Sequence, residues 1–230
     1  MRTISLAVMA VLFFALAAGA APALAKADFG IAGFGGYESY SMSDLNDEIA
    51  LVNLFLAGTG YSMDDISGGF GYGGGFRIKP SEKILVSLDY MRLPASSTLS
   101  AFGSSVKISA PGNGYMGTVT YFFPSTSKAK FGIAGGLGWY SGSATVDTSG
   151  ASTAAELSGS GLGFQGLAAL DAILSPTVHA EVAAGYRYAR TGGVEDENGD
   201  KIYNLSGDEA TLDWSGFMSR AGLAFYFGKK

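Results

Sequence analysis

Cysteine is absent from the 230 residues and histidine occurs once. No disulfide framework, thiol nucleophile or thiolate metal site can be built, and zinc has almost no ligands to draw on. Proline is scarce, with six residues, and only 15% of the chain is charged. After Lys26 no run of about 18 apolar residues occurs, so no helix can cross a bilayer. The best apolar stretch there, Ile49 to Ala57, is broken by Asn53 and preceded by Asp44, Asp47 and Glu48. Basic residues are outnumbered, 15 against 20 acids, which excludes nucleic acid as a partner because phosphate binding needs clustered Lys and Arg. Glycine and aromatics are abundant instead, with 35 Gly, 15 Phe and 12 Tyr. Glycine follows no three-residue period, and 47% hydrophobic content opposes general disorder.

The first 25 residues have the order of a secretory signal: Arg2, an uncharged apolar run from Ile4 to Ala18, and the small-x-small site Ala23-Leu24-Ala25. Residues 1–25 are therefore read as a signal peptide and 26–230 as one mature domain. Loss of Arg2 with the leader leaves fourteen cations against 20 acids, a mature charge of −6. If such an exported chain enters a membrane, it must do so as a closed sheet, since only helices and barrels satisfy every backbone polar group in lipid.

Period-two alternation of aromatic and β-branched residues predicts eight strands. They lie near Phe29 to Tyr37, Phe70 to Ile78, Ile84 to Leu93, Tyr115 to Phe123, Phe131 to Tyr140, Leu162 to Asp171, Val178 to Arg190 and Leu212 to Phe227. Short connections containing Pro80, Pro124 and Pro176 alternate with long polar ones, Glu38 to Gly69, Pro94 to Gly114, Ser141 to Leu157 and Thr191 to Thr211. Short turns at one end and long loops at the other are the layout of an up-and-down outer-membrane barrel. The faces agree. Val178, Val182, Tyr186 and Tyr188 share one face of the seventh strand, whereas His179, Glu181, Gly185 and Arg187 share the other. An apolar, aromatic face opposite one of glycine, alanine and isolated charges reads as lipid-out and lumen-in.

On this pattern, and on the final strand Leu223-Ala224-Phe225-Tyr226-Phe227, the chain resembles the small eight-stranded outer-membrane protein superfamily, the class of OmpX, OmpW and the OmpA membrane domain. It departs in carrying Gly228-Lys229-Lys230 after the terminal aromatic. The expected fold is all-β: an eight-stranded antiparallel up-and-down transmembrane β-barrel with a short helix in the first outer loop. The resemblance implies the outer membrane of a Gram-negative-type bacterium, contact with outer-membrane lipid and lipopolysaccharide, insertion by the outer-membrane assembly machinery, a monomeric state and no cofactor.

Inward-facing charges are predicted at Arg77, Arg187 and Arg220 against Asp89, Asp171 and Glu181, with Thr118, Thr120 and Gln165 on the same side. Internal pairing is expected because burying an unpaired charge is costly. His179-Ala180-Glu181 is the one pattern suggestive of acid/base chemistry, but His179 lies two residues past the Pro176 turn, away from the outer leaflet where enzymatic barrels hold a serine and a histidine. No enzyme and no metal site is expected. Glu195-Asp196-Glu197-Asn198-Gly199-Asp200 reads as a hairpin turn at Asn198-Gly199 rather than a calcium loop. Ser43 to Ala57 reads as a helix capped by Ser43 or Asp44, with Leu45, Ile49, Val52 and Leu56 at helical spacing and Leu51, Leu54 and Phe55 widening the stripe. That apolar side covers the barrel mouth, lies on the outer leaflet or docks a partner. The expected function is a structural or surface barrel, with a narrow channel for small hydrophobic or ionic solutes as an added activity; the alternative is an adhesin or receptor acting through its acidic loops.

Overall fold

Strand β1 (Asp28–Ser39) pairs with two neighbours at once, and this closes the sheet. The computed structural model describes residues 27–101, 104–125, 128–149 and 156–227. The predicted signal peptide and the tail after Phe227 lie outside them. The other barrel strands are β2 (Gly68–Ser81), β3 (Ile84–Leu93), β6 (Gly112–Phe122), β7 (Ala129–Thr148), β8 (Glu156–Ile173), β9 (Val178–Ala189) and β10 (Gly216–Phe227). Between β3 and β6 a hairpin, β4 (Ser96–Ala101) and β5 (Ser104–Ser109), stands on the rim. All pairings are antiparallel, and the circle runs β1-β2-β3-β6-β7-β8-β9-β10 and back to β1. Full closure leaves no open edge in the wall, as a bilayer requires.

The strands depart from the sequence reading where local composition misleads. Pro80 reads as the end of β2, yet the strand continues to Ser81 with its register shifting between Ile78 and Ser81; a bulge is where a ladder tolerates proline. The connection from Pro94 to Gly114, a loop by its composition, contains β4 and β5. The connection from Ser141 to Leu157 is partly strand, because β7 and β8 run beyond the barrel and β5 pairs there with β7, Ser109 opposite Thr145. The final strand starts at Gly216 rather than Leu212, since Leu212 and Trp214 turn into the core of the long-loop end.

At that end the described loops pack together. Helix α1 (Ser43–Phe55) follows β1 and buries Ile49 completely. Leu45, Val52 and Leu56 pack on the same cluster as Met42, Met63, Ile66, Leu93, Leu212 and Trp214. Phe55, expected on this stripe, is 85% exposed, because six residues at 100° each carry it about 240° around from Ile49. Neither Ser43 nor Asp44 caps the helix; Met42, at φ 41°, holds that position without a side-chain cap bond. Asp44 instead reaches the last long loop, where its carboxylate accepts bonds from Thr211 N and Oγ1, both 2.8 Å, and from Asn204 Nδ2 at 3.1 Å.

Trp214 anchors the cap. It is wholly buried, and its Nε1 donates to Ala110 O at 3.0 Å. Its ring lies against Gly112 and Gly142, where a Cβ would come within 2.8 and 2.6 Å of it. Only glycine leaves this slot open.

Partial burial raises the Asp44 pKa, but the bonds from Asn204 and Thr211 and the nearby Arg190 charge outweigh it and hold the group below its ordinary 3.8. A depressed folded-state pKa means that Asp44 stabilises the cap above the unfolded value and ceases to do so as pH falls through the folded one. Proteolysis of residues 43–66 should therefore accelerate below about pH 3.8 in the wild-type protein. Asp44→Asn should show faster cleavage at neutral pH and a smaller acid step; an identical acid step in both proteins would contradict the role of Asp44.

Candidate functional site

The inward faces of the barrel strands converge on a polar core in three tiers. At the short-turn end, Asp171 on β8 accepts from Lys79 Nζ at 2.9 Å and lies 2.8 Å from His179 Nδ1. Tyr226 covers this group, its ring 4.6 Å from the imidazole and 4.5 Å from Lys79 Nζ, centroid distances. One level further in, Arg77 is the hub. Its Nη1 donates to Asp89 at 2.5 Å and its Nε to Glu181 at 2.9 Å, with the arginine 2% exposed and the Asp89 side chain fully buried. Arg220 lies 3.4 Å from the other Asp89 oxygen, and its guanidinium sits 4.6 Å from the centre of the Phe34 ring. Gln165 on β8 donates to Thr118 on β6 at 2.8 Å, passing over Gly136 of the intervening β7. Near the cap, Arg187 pairs with Glu38 and donates through Nη2 to Trp214 O at 2.8 Å.

Strand alternation explains the tiers. Lys79 and Arg77 lie two residues apart on β2, His179 and Glu181 likewise on β9, and Asp89 faces inward from β3. A planar guanidinium can serve two carboxylates at once, which suits Arg77 to a space without bulk water. A void beside Arg77, Glu181, Arg220 and Ser87 measures about 40 Å³, room for water-sized molecules.

The outward faces are the inverse. Val119, Ile133, Leu137 and Leu223 are exposed along the wall between the two ends. Tyr37, Tyr72, Tyr90, Tyr115 and Tyr188 ring the long-loop end, and Phe29, Phe76, Phe131, Phe225 and Phe227 the short-turn end. Two aromatic girdles around an apolar band are what a membrane-spanning barrel requires. A major outer membrane protein from Thermus thermophilus shares this fold over 86% of this chain and 99% of its own, with a TM-score of 0.54 at 12% identity. Neisserial surface protein A aligns over 87% of this chain and 96% of its own at 16% identity and TM-score 0.44. OprG of Pseudomonas aeruginosa does so over 88% and 95%, at 15% identity and TM-score 0.41. No family model and no curated sequence matches the chain. The chain has the fold of a small eight-stranded β-barrel with an apolar, aromatic-rimmed outer wall.

In this barrel the six predicted lumen charges all face inward, but they do not pair only with one another. Arg77, Asp89, Glu181 and Arg220 form one group. Asp171 belongs to Lys79 and His179, and Arg187 to Glu38; the sequence reading leaves Lys79 in a turn and Glu38 in a loop. Lys79 is hidden by Pro80, and Glu38 by its place at the end of an aromatic run. Period-two counting from Arg77 and from Phe34, both inward, finds them. His179 and Glu181 do not meet: the imidazole is held by Asp171, while the carboxylate is held by Arg77 and lies 3.5 Å from the Tyr226 hydroxyl. Asp196 Oδ1 accepts from the amides of Asn198 and Asp200 at 2.9 Å, and Gly199 turns at φ 85°, so the acidic segment is a tight turn. Among the described residues no cluster of metal-ligating side chains occurs.

Arg77→Met would leave the buried Asp89 and the partly buried Glu181 short of their main partner and should lower stability by about 3 to 5 kcal/mol. Arg220→Met removes a longer contact and should cost about 1 to 2 kcal/mol. Urea titration of the refolded barrels measures both; equal losses would show that Arg77 is not the hub.

Proposed function

We propose that the barrel is a closed surface protein, in which the lumen serves as structural core and the folded outer cap is the part presented to the surroundings. The observation that carries this reading is the buried cluster at the long-loop end. Ile49, Leu93, Leu212 and Trp214 lie within it, almost without solvent contact, directly above the Arg187–Glu38 pair. A mouth closed by a hydrophobic core over a paired polar interior is the arrangement of a folded support, because a solute would have to displace both layers.

The cap presents acids outward. Glu195, Glu197, Asp200 and Asp208 are exposed on the last long loop beside exposed Tyr203 and Leu205. A surface of this kind favours recognition of cationic partners over anionic ones, which supports the adhesin or receptor role within the same reading. Passage of small solutes belongs to this protein only when the cap is displaced. His179 is committed to Asp171 beneath Tyr226, so the imidazole is part of the internal network. Outer-leaflet lipid and lipopolysaccharide are the surroundings, the assembly machinery delivers the chain, and it acts as a monomer.

Planar-bilayer recordings test the closed state. The intact barrel should show no stepwise conductance. Deletion of Ser43 to Gly60 with a short Gly-Ser bridge should leave the heat-modifiable gel shift in place and introduce conductance or uptake of a small hydrophobic dye. Stepwise openings of the intact protein would overturn the proposal and favour a narrow channel.

A further inference from the structure

The lipid-facing wall formed by β2, β3, β6 and β7 carries two rows set by strand register. In the first, Tyr90 lies opposite Tyr115 and Tyr115 opposite Trp139; the two tyrosine rings pack with centroids 5.4 Å apart. One step closer to the long-loop end, Tyr72 lies opposite Arg92 and Arg92 opposite Asn113. Tyrosine and tryptophan settle at headgroup depth in a bilayer, so the row above them meets the headgroups of the outer leaflet.

Arg92 is half-buried there, and its side-chain bond goes to a neutral group. Its Nη1 donates to Asn113 Oδ1 at 2.9 Å, and the Tyr90 hydroxyl donates to the same oxygen at 2.8 Å. Two donors on Oδ1 fix the amide's orientation. The Asn113 Nδ2 group and the other guanidinium N–H groups then remain as donors, with no acceptor bonded to them among the described residues. Other cations of this end sit near acids: Lys201 pairs with Glu209, and in the strand pairings Lys107 lies opposite Asp147 and Arg190 opposite Asp213. In an outer end rich in carboxylates, this spot offers a permanent charge in a planar fork and an amide N–H side by side. Tetrahedral phosphoryl oxygens are the acceptors that such a donor set matches.

We propose that Arg92 and Asn113, seated on the Tyr90–Tyr115 pair, form a binding site for a phosphoryl group, supplied by the headgroup of an outer-leaflet lipid. The inference rests on the reading that this wall faces lipid. Flotation of the protein with phosphatidylcholine vesicles tests that reading separately, so the two failures are distinguishable.

The site itself is tested with the full mature chain in maltoside micelles, following the amide resonances of residues 90–93 and 112–115 by NMR. The probes are dioctanoyl phosphatidic acid, dioctanoylglycerol and inorganic phosphate. Phosphatidic acid should bind the wild-type protein, and Arg92→Gln, which keeps a side-chain amide but loses the charge, should weaken it about tenfold. Arg190→Gln should leave the affinity unchanged, and both variants should keep the heat-modifiable gel shift. Equal affinity in Arg92→Gln, or binding of dioctanoylglycerol as tight as that of phosphatidic acid, would overturn the site. Inorganic phosphate binding as tightly as phosphatidic acid would overturn the lipid assignment.

Discussion

A carboxylate sealed inside a small barrel has no bulk water to solvate it, and Arg77 answers that problem for two carboxylates at once. Its bonds to Asp89 and Glu181 tie β2 to β3 and, across the lumen, to β9. Strands distant in sequence are thus joined at the centre as well as around the wall. The Lys79–Asp171–His179 group does the same near the short turns, and Arg187–Glu38 near the cap. These pairs are poor evidence for added stability compared with an apolar core of equal volume. What they do is set a penalty on any register in which one partner is missing, because a slip by one residue turns every inward charge out to lipid.

The cap depends on the polar tiers beneath it. Arg187 donates to the Trp214 carbonyl, so the uppermost lumen cation also fixes the backbone of the residue around which the cap packs. From Trp214 the order extends through Gly112 and Gly142 to the rim, and through Leu212 and Ile49 to α1. Asp44 then ties the first long loop to the last. The loops are therefore a second, hydrophobic core set on a polar one. An outer surface built this way presents its acidic residues on a firm support.

The barrel is legible in the sequence because its two signals are repeated in every strand: alternation that puts aromatics on one face, and connections that alternate in length. Single residues are harder where one local rule masks another. Pro80 suggests a strand end and hides Lys79, although a bulge accommodates it. The serine-rich segment holding β4 and β5 lacks the aromatic alternation of the wall and owes its strand form to pairing with the extension of β7. The helix lies where its spacing predicts along the chain, but Phe55 falls on the other face because a widened apolar stripe does not say which edge is buried. Leu212 and Trp214 look like strand residues since a cap core and a barrel wall draw on the same side chains. The individual ion pairs depend on side chains crossing the lumen, which no periodicity along one strand encodes.

A sealed, paired interior would keep water-borne reagents from inward-facing side chains. The absence of native cysteine allows a direct measurement. Ser87 is inward-facing, 4% exposed, and lines the void beside Arg77. In Ser87→Cys, reconstituted in lipid vesicles, a membrane-impermeant maleimide should label the thiol only after urea unfolding, while a control cysteine at exposed Ser206 reacts at once. Labelling of the folded protein at the rate of the Ser206 control would show a water-filled passage through the barrel and contradict a sealed interior.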